Sequence, residues 1–120
     1  MPIKAYKKLY MKARFNEFYS IDELEELIKK SNDEPVVFFK HSITCPISKG
    51  AFRQISEADA NIWVMVVQDA RKAADALAAK TGIKHESPQT IILKDEKPVY
   101  HASHYDATVA EVEAVIAKYS

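Results

Sequence analysis

The sequence predicts one α/β domain, a central mixed sheet of four to five strands flanked by helices in the order (β)αβαβαββα. Three observations predict it. The chain has 120 residues, which by the rule of ~150 residues per domain is one unit, residues 1–120. Two short runs, 35–39 and 62–67, are almost wholly apolar, and a third, 88–93, ends in Ile-Ile-Leu, as strands buried on both faces do. Amphipathic helical segments alternate with those runs, which argues a parallel-centred sheet covered on both sides.

In chain order, residues 1–16 read as a basic extension or edge strand, with a weak strand signal at 11–15. Ser20 followed by Glu23 is a capping box, and Ile21, Leu24, Leu27 and Ile28 then share one helical face. Asn32 to Pro35 ends that helix, and Pro35-Val-Val-Phe-Phe39 is the first central strand, with Phe38 and Phe39 in the core. After a loop holding the cysteine, Ile47, Ala51, Phe52 and Ile55 recur at helical spacing to about residue 58. Ile62-Trp-Val-Met-Val-Val67 is the second central strand, with Trp63 in the core. Asp69 is expected to cap the next helix, which Gly82 stops. Residues 88–93 form the third strand, Asp95-Glu96-Lys97 turns, and Val99 to Ala102 returns as an antiparallel edge. Thr108 caps a last helix with Val109, Val112, Val115 and Ile116 as its apolar stripe.

Composition narrows the function classes. Seventeen basic residues balance seventeen acidic ones, so no overall field draws in nucleic acid or an anionic membrane. The cluster Lys4, Lys7, Lys8, Lys12 and Arg14 reads as a solvated face. No apolar run approaches the ~20 residues a membrane span needs, and the N-terminus lacks an apolar signal region, so a cytoplasmic protein is expected. One cysteine, Cys45, rules out an internal disulfide, a cysteine-based zinc site and an iron–sulfur cluster held by this chain alone. Redox chemistry at Cys45 therefore needs a sulfur on another molecule.

The stretch His41-Ser-Ile-Thr-Cys-Pro-Ile-Ser48 carries the strongest site signal. Cys45 follows the carboxyl end of a buried strand, where open α/β sheets place their sites. Pro46 suits the first position of a helix, which makes Cys45 the N-cap, beside free backbone N–H groups and the positive end of the helix dipole. Such positions lower a cysteine pKa from about 8.5 into the range of roughly 3.5–7.5. Lys40, His41 and Lys49 are expected to add positive charge nearby, and the Ser48 hydroxyl could donate to the sulfur. A lone cysteine is more often a small buried hydrophobe, but this one sits in a polar loop.

The element order, with a cysteine at this strand–helix junction, resembles the thioredoxin fold. That resemblance implies a cis Ser87–Pro88 bond before the third central strand, with the Ser87 backbone beside Cys45 to pair with extended substrate. Thr44, Pro46 and Ser48 replace the tryptophan, glycine and second cysteine of thioredoxin itself. Cys-Pro-X-Ser is closer to single-thiol glutaredoxins, yet Ala102-Ser-His-Tyr-Asp106 lacks their Gly-Gly pair. Lys40-His41-Ser42, Thr44-Cys-Pro-Ile-Ser48 and Lys84-His-Glu-Ser-Pro-Gln89 together resemble the YtxJ-like monothiol bacilliredoxins of the bacillithiol system, over residues 17–117. The resemblance implies a thiol–disulfide oxidoreductase that takes bacillithiol from S-bacillithiolated proteins through a Cys45 mixed disulfide. It also implies no bound cofactor, with bacillithiol as co-substrate. Thr44, Pro46 and Ser48 would stabilise the thiolate, and Ser87, Pro88, His41 and Lys40 would meet the substrate.

Two alternatives stay open. One is a thioredoxin-like sensor or adaptor whose Cys45 is modified without turnover. The other is a single-thiol iron–sulfur carrier, which Cys-Pro-Ile-Ser disfavours. His85 and Glu86 lie close enough to Pro88 in sequence to touch a thiol ligand. His101 and His104 have no evident further ligands, and no metal is expected.

Overall fold

The computed structural model describes residues 11–120; Lys4, Lys7 and Lys8 of the basic cluster lie outside them. The strands are β1 (Arg14–Glu17), β2 (Val36–His41), β3 (Asn61–Val66), β4 (Gln89–Lys94) and β5 (Lys97–Ser103). The helices are α1 (Ile21–Lys30), α2 (Pro46–Ile55), α3 (Arg71–Thr81) and α4 (Val109–Tyr119), with a 3₁₀ turn at His104–Asp106. This is the thioredoxin-like arrangement expected, with β1 three residues later than its weak signal.

The sheet order is β1-β3-β2-β4-β5. Strands β1, β3 and β2 run parallel, whereas β4 pairs antiparallel with β2, and β5 antiparallel with β4. The parallel part is thus narrower than the sequence implied. An apolar run reports burial on both faces, not strand direction.

Strand alternation divides the core in two. Phe38, Met65 and Ile91 point to one face and pack with Leu24, Leu27, Ala73 and Leu77 of α1 and α3. Val37, Phe39, Val64 and Ile92 point to the other and pack with Ala51, Ile55 and Val112 of α2 and α4. Each fully buried side chain of this size contributes about 1.5–3 kcal/mol of transfer free energy. Trp63, expected in the core, is only half-buried at the margin of the first cluster. Ile21 and Ile47 sit at the first turns of their helices, where they stay 40% and 45% exposed.

Most helix ends follow the sequence. Ser20 and Glu23 form a reciprocal capping box, the Thr108 side chain accepts from the Glu111 N–H, and Gly82 closes α3 at φ 73°. Asp69 does not cap α3. The N-cap is Ala70 with no side-chain bond, because the Asp69 and Ala70 N–H groups both turn back to the Val66 carbonyl. Asp95 and Glu96 both have positive φ, as a two-residue hairpin turn requires.

Candidate active site

The site is built at one end of the sheet, where β2 and β3 finish and β4 begins. Lys40 of β2 is the register partner of Gln89 of β4. The cysteine loop and the Ser87–Pro88 segment therefore leave neighbouring strands side by side. Cys45 is the N-cap of α2 (φ −101°, ψ 118°), Pro46 is its first residue, and the cysteine side chain makes no capping hydrogen bond. Cys45 is partly buried, flanked by Ile43 and Ile47, which are 50% and 45% exposed. The sulfur thus stands at the amino end of α2, where the first-turn amides lie, between two partly exposed isoleucines.

Ser48 has a different role from the one its spacing suggested. Its hydroxyl turns back on the loop, accepting the Ser42 N–H at 2.9 Å and sharing a hydrogen bond of 2.7 Å with His41 Nδ1. It is fully buried. The partly buried Ser42 N–H needs an acceptor, and Ser48 supplies it. His41 lies against Phe52 with ring centroids 5.0 Å apart. Burial, chiefly, holds its pKa below the usual histidine value, with Lys49 lowering it further and Glu17 opposing.

Gln68 completes the loop and was not foreseen. From the β3–α3 connection its Nε2 donates to Ser42 Oγ at 2.9 Å and Thr44 Oγ1 at 3.3 Å. Its Oε1 accepts the Ile43 N–H at 3.4 Å. A polar residue at the carboxyl end of a buried strand was the available signal.

The Ser87–Pro88 bond is cis, and Pro88 is buried. The Pro88 carbonyl accepts the His104 N–H at 2.9 Å, which ties the 3₁₀ turn to the proline loop. That turn also leans on α2. Gln54 Nε2 donates to the Tyr105 and Ala107 carbonyls at 3.2 and 2.7 Å, and the Tyr105 ring lies where a Cβ at Gly50 would project.

Lys40 corrects the expectation that it stands beside the thiolate. Strand alternation sends it with Phe38 toward the α1/α3 face, while His41 faces α2. Its side chain is fully buried and Nζ lies 3.2 Å from His85 Nδ1. Burial, opposed by Asp75 and assisted by Arg71, lowers the Lys40 pKa from 10.5 to about 8. The structure thus gathers His41, Thr44, Cys45, Pro46 and Ser48 around the loop, brings Ser87 and Pro88 to the adjacent strand, and turns Lys40 under the proline loop. His101 and His104 join no cluster of three metal-ligating side chains among the described residues.

The family model of monothiol bacilliredoxin BrxC matches residues 16–112. The chain belongs to that family. A solved structure described as a candidate oxidoreductase with a thioredoxin fold is 33% identical, with a TM-score of 0.75 over 86% of this chain and 92% of that one. Thioredoxin from Schistosoma mansoni, 22% identical over 89% of this chain and 96% of that one, superposes with a TM-score of 0.66. Thioredoxin from Fasciola hepatica, 16% identical over 88% and 99%, gives 0.63; these two similarities show the fold alone. Family and fold together support a thiol redox function for the bacilliredoxin-like chain. No helix among the described residues is long and apolar enough to cross a membrane.

Proposed function

We propose that the protein removes bacillithiol from S-bacillithiolated proteins in the cytoplasm, using bacillithiol as co-substrate and no bound cofactor. The observation that carries this reading is a single thiol at the α2 N-terminus whose i+3 neighbour is a buried serine already committed to Ser42 and His41. The Cys45 thiolate attacks the bacillithiol sulfur of the mixed disulfide. A new Cys45–bacillithiol S–S bond forms, the old S–S bond breaks, and the client sulfur leaves as a thiolate that takes up a proton. The chain supplies no second sulfur, so a free external thiol, bacillithiol in this reading, attacks next. It leaves as bacillithiol disulfide and returns the Cys45 thiolate.

The test mixes reduced protein with a bacillithiolated client and weighs both by mass spectrometry. The adduct should move to Cys45 in the wild type and stay on the client with Cys45→Ala. Equal transfer from a glutathionylated client would overturn the bacillithiol assignment. An adduct that forms on Cys45 but is never released by added thiol would favour a sensor over an enzyme.

A further inference from the structure

The two halves of the site stand on different supports. Cys45 heads α2, and the pair of Ser48 with His41 ties that end of the helix to β2. Ser87 and Pro88 lead into β4, whose outer neighbour β5 is the edge of the sheet. Beneath α2, Ala51 and Ile55 pack on the sheet, but apolar contact has no fixed direction. The spacing of the proline loop from α2 therefore needs a directional tie of its own.

Gln54 supplies it. It lies in the last turn of α2, nine residues beyond Cys45, which is roughly 13.5 Å along the helix axis. A side-chain amide nitrogen carries two hydrogens, and here they reach two carbonyls, Ala107 at 2.7 Å and Tyr105 at 3.2 Å. Gly50 stands one turn earlier on the same helix face and leaves the room that the Tyr105 side chain fills. From the other side the 3₁₀ turn grips the proline loop, with the His104 N–H donating to the Pro88 carbonyl at 2.9 Å. His104 has φ 57°, a left-handed conformation that a residue with a Cβ keeps only where its surroundings hold it. Pro88 holds it on one flank, and Gln54, through the next residues of the turn, on the other.

We propose that Gln54 is a positioning residue, which couples α2 to the proline loop through the 3₁₀ turn and so sets the spacing between Cys45 and the Ser87 backbone. The inference rests on the thiol-transfer reading above and on the pairing of an extended client with Ser87. A reaction that needs only the sulfur does not depend on this strut. One that engages the sulfur and the Ser87 backbone together does.

The full chain is tested with two disulfides of 2-mercaptoethanol, neither of which depends on the bacillithiol assignment. One is its mixed disulfide with an extended peptide, which has a backbone to pair; the other is bis(2-hydroxyethyl) disulfide, which has none. Loss of free Cys45 is timed by mass spectrometry. Gln54→Met, of equal length and without a donor, should slow the peptide probe about tenfold and the small probe by less than about twofold. Gln54→Lys, which keeps a donor at that position, should recover most of the peptide rate. Hydrogen exchange at the His104 amide should be faster in Gln54→Met and close to wild type in Gln54→Lys. Equal slowing of both probes, an unchanged peptide rate, or a Gln54→Lys variant as slow as Gln54→Met would each overturn the proposal. A wild type that reacts with neither probe removes the thiol-transfer reading instead. The strut is then judged at the His104 amide, where unchanged exchange in Gln54→Met overturns it.

Discussion

Lys40 and His41 are consecutive residues on one strand, and each ends in a polar pair, yet the two pairs do opposite things to the free energy. On the α2 face, Ser48 and His41 are uncharged groups that satisfy each other and the partly buried Ser42 N–H, so burial costs little. On the α1/α3 face, Lys40 buries a charge whose hydrogen-bond partner among the described residues is a neutral ring nitrogen, which costs several kcal/mol before compensation. The thiol loop is therefore held by a cheap contact and the proline loop by an expensive one.

The sharpest way to separate the faces is to remove the thiol. Cys45→Ala should abolish adduct transfer while leaving thermal unfolding unchanged within about 0.5 kcal/mol, since the Cys45 side chain caps nothing. An altered unfolding curve would mean that the α2 face depends on the sulfur for packing.

Lys40 offers the next largest effect. Its pKa is about 8 folded against 10.5 unfolded, so between these values the unfolded chain binds more protons and stability rises with pH. Up to about 3 kcal/mol should be recovered from pH 8 to 10.5, and Lys40→Met should lose that slope. Denaturant titrations across this range measure it; equal slopes in the two proteins would refute the buried-charge account.

Ser48→Ala should cost about 1–3 kcal/mol, because it strands the Ser42 N–H. Ser48→Thr, which keeps the oxygen, separates that loss from simple loss of volume. Gln68→Ala removes exposed bonds and should cost only about 0.5–1.5 kcal/mol. It should show as faster hydrogen exchange at Ile43, whose N–H Gln68 accepts, with global stability little moved.

Much of this was legible in the sequence wherever the cause is local. Ser20-x-x-Glu23, Thr108, Gly82 and Cys45-Pro46 each fix their own helix end through atoms within four residues. Asp69 failed because a turn onto Val66 carries the chain one residue further before the helix begins at Arg71. Direction and partner were less legible. Nothing in residues 88–93 distinguishes an antiparallel β4 from a parallel one. Lys40 looked like the polar end of a strand, although its parity with Val36 and Phe38 already assigned it to the α1/α3 face. Ser48 matched the spacing for a bond to Cys45, but the turn of the loop that brings the partly buried Ser42 amide onto it is a demand that spacing cannot report.

Gly50 has a reach that its place in the middle of α2 does not suggest. A helix interior disfavours glycine by about 0.5–1 kcal/mol relative to alanine, and here the missing methyl is the seat of the Tyr105 ring. Tyr105 follows His104, whose N–H grips the Pro88 carbonyl. A single added carbon at position 50 would meet the end of the half-exposed Tyr105 side chain and make it turn aside, so the glycine keeps room for the 3₁₀ turn that anchors the proline loop.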